Sequence, residues 1–174
     1  NGGLVIVVAD DPGMHSSQNE QDSRFYALAS HIPMLEPSDS AECREFTKLA
    51  FMISEEFDCP VIVRLTTRVA HARSLTSIDE RQDIANKEYI KDIMKYVMMP
   101  GMAKKRHVVV EDRMNRLISY SNDLNINRVE WNDRKVGVIT SGINYQYTKE
   151  VFKNASILKI GMVHPLPEGL IKEF

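Results

Sequence analysis

The sequence predicts an α/β fold built around a parallel sheet, and three observations lead there. Residues 4–9 (Leu4, Val5, Ile6, Val7, Val8, Ala9) form one continuous apolar, largely β-branched run, the pattern of a strand covered on both faces. A second strand-like run follows at residues 61–65. Between them Cys43, Phe46, Leu49, Ala50, Ile53 and Phe57 recur at helical spacing. Short connections make strand, helix, strand, helix, strand into βαβ units with right-handed crossovers.

The elements follow in order. Asp10-Asp11-Pro12-Gly13 breaks the first strand. A polar stretch, 14–24, runs into a helix ending near Ala29, and residues 32–35 read as a short strand punctuated by Pro37 and Ser38. Asp39 and Glu42 have capping-box spacing and open the amphipathic helix, which Asp58-Cys59-Pro60 ends. Residues 69–83 hold no period and read as a loop or linker. Residues 89–97 suggest a short helix closed by Pro100-Gly101, and 104–121 a longer one carrying Val108, Val109, Met114, Leu117 and Ile118. Residues 122–133 are polar and turn-rich.

A second α/β pattern then begins. Residues 135–140 read as a strand, Ser141-Gly142 as a turn, 145–154 as a helix and 157–162 as a strand, before Pro165-Leu166-Pro167 opens a last helix. Two strands are too few for a stable parallel sheet, so this unit is expected to be truncated. The expected organisation is an α/β unit at 1–83, a helical linker at 84–133 and the start of a second α/β unit at 134–174. The chain starts without Met and stops inside an amphipathic pattern, which suggests a piece of a longer protein.

Composition narrows the function. The chain has 174 residues, 43% of them hydrophobic, and a formal net charge of -2. That balance argues against nucleic acid and against an anionic membrane surface as partners. No apolar stretch approaches the roughly 20 residues that span a bilayer, and there is no basic-then-apolar leader. Cys43 and Cys59 are too few for a disulfide framework or a cysteine-rich metal site. Both are expected to be buried and reduced, in a cytoplasmic protein.

The strongest candidate chemistry is the polar stretch after the first strand. In open α/β sheets ligands bind beyond the carboxyl ends of the strands. His15, Ser16, Gln18, Asn19 and Arg24 gather there, a mix that suits a small oxyanionic substrate: arginine for a carboxylate, histidine for proton traffic, amides for orientation. The plainer alternative is a solvated loop that caps the next helix. After the third strand, at 61–65, Arg68 and His71 should reach the same sheet edge, though an exposed basic loop is the favoured reading of them. His31, His107 and His164 lack metal-site spacing, and no metal ligands are expected. Residues 104–107 read as a solvated helix end. No glycine-rich phosphate loop, Cys-x-x-Cys run or nucleophile elbow occurs.

The run from Gly2-Gly3-Leu4-Val5-Ile6-Val7-Val8-Ala9 through Asp10-Asp11-Pro12-Gly13-Met14-His15-Ser16-Ser17-Gln18-Asn19 to Arg24 resembles the alpha subunits of the indolepyruvate branch of thiamine diphosphate-dependent 2-oxoacid:ferredoxin oxidoreductases. Pro33-Met34-Leu35-Glu36-Pro37-Ser38-Asp39, Thr66-Thr67-Arg68-Val69-Ala70-His71 and His164-Pro165-Leu166-Pro167 fit the same family. A weaker likeness to transketolase is visible in the first loop. The resemblance implies the latter half of a pyrimidine-type thiamine diphosphate-binding domain, followed by the start of a transketolase C-terminal-like domain, which agrees with the split that the residue pattern itself places near Arg128 to Lys135.

The implied activity is oxidative decarboxylation of arylpyruvates such as indolepyruvate to aryl-acyl-coenzyme A, with ferredoxin as electron acceptor. It implies thiamine diphosphate with magnesium and 4Fe-4S clusters in the parent protein, with none bound by this piece alone, which is expected to be inactive. It also implies a beta subunit as partner and an oligomer. His15 and Ser16 would be the catalytic groups, and Gln18, Asn19, Arg24, Arg68 and His71 the substrate-binding ones. The glutamate that activates the cofactor would precede residue 1, so neither Glu20 nor Glu36 takes that role. The diphosphate motif and cluster cysteines would follow residue 174. Two rivals remain: the pyruvate or 2-oxoglutarate branch, and a non-catalytic scaffold or dimer interface.

Overall fold

A computed structural model describes residues 2–81 and 88–174. The elements are β1 (Val5–Asp10), α1 (Arg24–Ser30), β2 (Met34–Leu35), α2 (Ser40–Phe57), β3 (Val61–Thr66), α3 (Thr67–His71) and α4 (Ile93–Tyr96), then α5 (Pro100–Asp123), β4 (Arg128–Glu130), β5 (Asp133–Ser141), α6 (Asn144–Val151), β6 (Ala155–Ile160), β7 (Met162–His164) and α7 (Glu168–Glu173). The fold is α/β, as the sequence predicts. One sheet has the order β1-β3-β2-β7, the other β4-β6-β5. β1, β3 and β2 are mutually parallel, while β7 joins β2 antiparallel. β5 and β6 are parallel, and β4 is antiparallel to β6.

The amphipathic helix α2 organises the main core. Asp39 caps it by accepting the Glu42 amide at 2.8 Å, which satisfies one of the orphan donors of the first turn. The reciprocal half of the expected capping box is replaced: the Glu42 carboxylate accepts from Ser38 N at 2.8 Å and Ser38 Oγ at 2.7 Å. Phe46, Ala50, Ile53 and Phe57 pack on Leu35, Val61 and Val63 of the sheet, with Leu117 of α5 and Met162 of β7 closing the cluster. The opposite sheet face is thinner, with Ala27 of α1 on Met34 and Ile62.

Several expectations are corrected. β1 is not covered on both faces: Ile6 is 38% exposed and Val7 58%. It is the edge strand, hydrogen-bonded only to β3 among the described residues, so its second edge has no neighbour. Pro100 opens α5 rather than closing the helix before it, because the first turn needs no N–H from residue N1. The short helix there shrinks to α4, four residues long. Residues 67–71 form α3, where a loop was expected from residue 69. The turn-rich stretch 122–133 contains β4, which gives the second sheet a third strand. Cys43 is only half-buried, while Cys59 is buried, and both are free thiols. The expected boundary at residues 83 and 84 lies outside the described residues.

Candidate functional site

β1 and β3 run parallel in register from Val5 opposite Val61 to Asp10 opposite Thr66. Their carboxyl ends therefore share one sheet edge. The loop 11–23 leaves from β1 and α3 leaves from β3, side by side. That edge is where ligands of open α/β sheets are received.

Two consecutive carboxylates hold this loop. Asp11 is buried and accepts the backbone amides of His15 (3.0 Å), Ser16 (2.7 Å) and Ser17 (2.6 Å), together with Thr67 Oγ1 of α3 (2.6 Å). Its own carbonyl accepts Met14 N at 3.3 Å and Gln21 N at 3.4 Å. The Thr67 hydroxyl, with the loop amides, holds the Asp11 carboxyl well below the ordinary carboxylate range. The turn that lets the chain curl back passes through Gly13 and Met14, both at positive φ (79° and 55°). That conformation costs little for glycine and more for methionine.

Asp10 holds the other end. It accepts Ser23 N at 2.7 Å, Ser23 Oγ at 2.6 Å and Arg64 Nε at 2.5 Å. Arg64 is 3% exposed and donates from Nη1 to Glu36 Oε1 at 2.6 Å. Ser141 Oγ at the end of β5 donates to Glu36 Oε2 at 3.2 Å. Burial pushes the Asp10 carboxyl up, but the bonds from Ser23 and Arg64 outweigh it, and the net displacement is downward. Gly142 is required beside this network: it sits at φ 52°, and a Cβ there would meet Glu36 Oε1 at 2.7 Å.

The predicted site residues separate into groups. His15, Ser16, Gln18 and Asn19 all project from the pinned loop and are exposed. Of these side chains only Ser16 makes a hydrogen bond among the described residues, a long one of 3.4 Å to Asp11. Arg24 opens α1 at the far end of the loop, with its guanidinium already on Asp22: Nε reaches Oδ1 at 2.8 Å and Nη2 reaches Oδ2 at 2.5 Å. Arg24 holds the Asp22 carboxyl down at about 2. Arg68 and His71 lie on α3, exposed. Thr66 Oγ1, at the end of β3, is buried without a hydrogen-bond partner.

Sequence reasoning missed Asp10, Asp11, Glu36, Arg64 and Thr67 as builders of this edge. One signal was present: Arg64 is a charge inside an apolar strand, and a buried charge needs a partner. A second ionic cluster lies apart. Lys159 of β6 is fully buried and pairs with Glu42, with Ser38 Oγ at 3.1 Å. Arg128 joins Glu42 at 3.3 Å and Tyr145 OH at 3.1 Å, and Tyr145 donates to Glu130 at 2.5 Å. Burial lowers the Lys159 ammonium, against the pull of Glu42. This cluster ties the start of α2 to the second sheet.

Among the described residues no three His, Cys, Asp or Glu side chains converge as metal ligands. No helix there is long and apolar enough to cross a membrane. Two cavities, of about 280 and 340 Å³, lie away from the loop. The first is bordered by Ser54, Asp58 and Tyr96, the second by Leu49, Tyr120 and Ile126.

No family model matches the chain. Curated relatives do. Indolepyruvate oxidoreductase subunit IorA of Archaeoglobus fulgidus is 38% identical over 179 aligned residues, covering 99% of this chain and 29% of the relative. IorA of Thermococcus kodakarensis is 40% identical over 185 aligned residues, with the same two coverages. IorA of Pyrococcus horikoshii is 39% identical over 186, covering 100% and 29%. Along its whole length the chain resembles IorA. The IorA-like chain spans about 29% of the length of the curated relatives it matches. A solved structure, a 2-oxoglutarate:ferredoxin oxidoreductase from Magnetococcus marinus, shares the fold with a TM-score of 0.67 at 15% identity, covering 99% of this chain and 39% of that one.

Proposed function

We propose that the chain is part of an enzyme that oxidatively decarboxylates arylpyruvates, indolepyruvate first among them, to aryl-acyl-coenzyme A with ferredoxin as electron acceptor. The observation that supports this most is the 36–40% identity to IorA subunits over essentially the whole chain. The reading keeps the division into 1–83, 84–133 and 134–174, a beta subunit as partner, an oligomeric assembly and a cytoplasmic location.

In this reading the loop 14–19 and α3 face the 2-oxoacid. His15 and Ser16 exchange protons and hydrogen bonds at the reacting carbonyl, while Gln18 and Asn19 orient it. Arg68, exposed and without an ion pair among the described residues, is the readier partner for the substrate carboxylate. Arg24 can serve only by exchanging Asp22 for substrate. His71 closes the α3 side.

The residues fit a cofactor-facing loop in one respect: exposed polar side chains stand on a backbone held from within. Thiamine diphosphate, when bound, supplies the carbanion-stabilising chemistry, and this chain supplies orientation and electrostatics. Glu36 is committed to Arg64 and Ser141, and is not available to a pyrimidine ring. The chain's two cysteines do not fit a four-iron cluster, which takes four thiolates.

The test uses the full-length subunit with its partner, prepared without oxygen. Viologen reduction is followed with thiamine diphosphate and coenzyme A present, on indolepyruvate, pyruvate or 2-oxoglutarate. Reduction on indolepyruvate alone is expected. Preference for another 2-oxoacid would overturn the substrate and keep the reaction. A scaffold role is the second reading, favoured by the exposed Phe25, Tyr26 and Leu28 on α1. Under it, His15→Ala leaves turnover unchanged.

A further inference from the structure

The two adjacent carboxylates at the end of β1 look redundant in sequence but make different bonds. We propose that Asp11 is a positioning residue that fixes the loop 14–19 and thereby aims His15 and Ser16, while Asp10 serves the fold. The inference rests on the reading of that loop as part of the substrate site.

The geometry separates the roles. Every partner of the Asp11 carboxylate belongs to the loop or to α3: three successive amides, His15 to Ser17, the Ser16 hydroxyl, and Thr67 Oγ1. Three amides in a row can point at one carboxylate only if the chain curls around it. With all three N–H groups turned inward, His15 and Ser16 stay exposed, and the Ser16 hydroxyl keeps a long bond of 3.4 Å to the same carboxylate. The loop has no helix or strand of its own between Asp10 and Arg24 to impose that shape. Its turn also passes through Met14 at φ 55°, a conformation an unsupported methionine leaves readily.

Asp10 points elsewhere. Through Arg64 it reaches Glu36 and Ser141, and so joins β1, β3, the turn after β2 and the end of β5. Its single loop contact is Ser23, at the entry to α1.

The carboxylate is needed as such at Asp11. Oδ1 takes His15 N and Thr67 Oγ1, and Oδ2 takes Ser16 N, Ser17 N and, at longer range, Ser16 Oγ. An asparagine keeps one acceptor oxygen and turns two N–H donors toward donors already there. Asp11→Asn therefore removes half the cradle with almost no change of volume. Thr67→Val removes one bond and leaves the carboxylate.

The experiment compares wild type, Asp11→Asn, Thr67→Val, Asp10→Asn and His15→Ala in the full-length subunit with its partner. Two quantities are read: amide hydrogen exchange in a peptide spanning 12–20, and steady-state kinetics with indolepyruvate. Asp11→Asn is expected to speed exchange of the His15, Ser16 and Ser17 amides at least tenfold, with exchange of β3 and α2 unchanged. It should lower kcat about tenfold or more while KM moves by less than about threefold, because substrate still binds but meets misaligned groups. Thr67→Val should shift both in the same direction by less. Asp10→Asn should instead lower the melting temperature and raise exchange across the sheet.

Unchanged loop exchange in Asp11→Asn overturns the proposal whatever the kinetics do. Faster exchange with unchanged kcat overturns it too, provided His15→Ala lowers kcat. If His15→Ala is also silent, the substrate-site reading itself fails. If Asp11→Asn does not fold, Thr67→Val decides by the same two readouts.

Discussion

β1 and β3 invite comparison because they are nearly the same strand. Each has six residues, mostly apolar, and they pair in parallel register along their whole length. Yet β3 is buried at five of its positions and β1 at one. The difference lies in neighbours, not composition. β3 sits between β1 and β2, with α2 packed on one face. β1 has β3 on one side and no strand on the other among the described residues. Apolar content makes a strand, and place in the sheet decides what the strand is worth.

The largest expected effect tests the charged centre of β3. Arg64→Ala leaves Asp10 and Glu36, which are 4% and 6% exposed, without their shared cation. Removing one member of a buried ionic set typically costs about 3–5 kcal/mol. Chemical unfolding of the variant should show a loss of that order. A loss under about 1 kcal/mol would mean that water already reaches both carboxylates. Next comes Val63→Ala, in the α2 core at 1% exposure. Two buried methyl groups and a partly collapsed cavity together cost about 2 kcal/mol, read as a lower denaturant midpoint with unchanged slope.

The same comparison shows why some of the molecule was legible in sequence. The α2 helix was readable because its period and its Asp39 cap are local. The strands were readable because their apolar runs are local too. The coverage of β1 was not, since it depends on which strand stands beside it, a fact no window of sequence holds. β4 was missed because a three-residue antiparallel strand has no period of its own and exists only by pairing with β6. At the site, the polar loop announced itself by composition. The residues that build it did not: Asp10 and Asp11 read as strand breakers, and the partners outside the loop that fix them to the sheet lie more than 50 residues away on β3 and α3. Arg64 was the one visible clue.

A smaller effect carries a pH signature. Ser23 Oγ donates to Asp10 at 2.6 Å, a bond to a charged acceptor worth roughly 1.5 kcal/mol. Asp10 titrates below its ordinary value in the folded chain, so the stabilisation it gives is complete above about pH 5 and is lost as pH falls through the folded value. Ser23→Ala should therefore cost most near neutrality and progressively less in acid. A pH-independent difference would assign the loss to α1 packing rather than to Asp10.

The smallest effect is the most direct check on the comparison, because Val7 stands opposite Val63 in the register. At 58% exposure, Val7→Ala removes little apolar surface from a buried place. It should change the stability of the 174-residue chain by no more than about 0.5 kcal/mol, the range of surface substitutions. Two paired valines, truncated identically, would then differ about fourfold in cost for reasons of sheet position alone. Equal losses at Val7 and Val63 would break the comparison and put β1 under cover. Repeating the pair in a subunit of the relatives' full length sharpens it further. If the Val7 loss rises there toward the Val63 value, the missing neighbour of β1 is supplied by the longer chain. If it stays small, the edge is open in the whole protein as well, and the apolar surface of Leu4, Ile6 and Val7 is left for another molecule to cover.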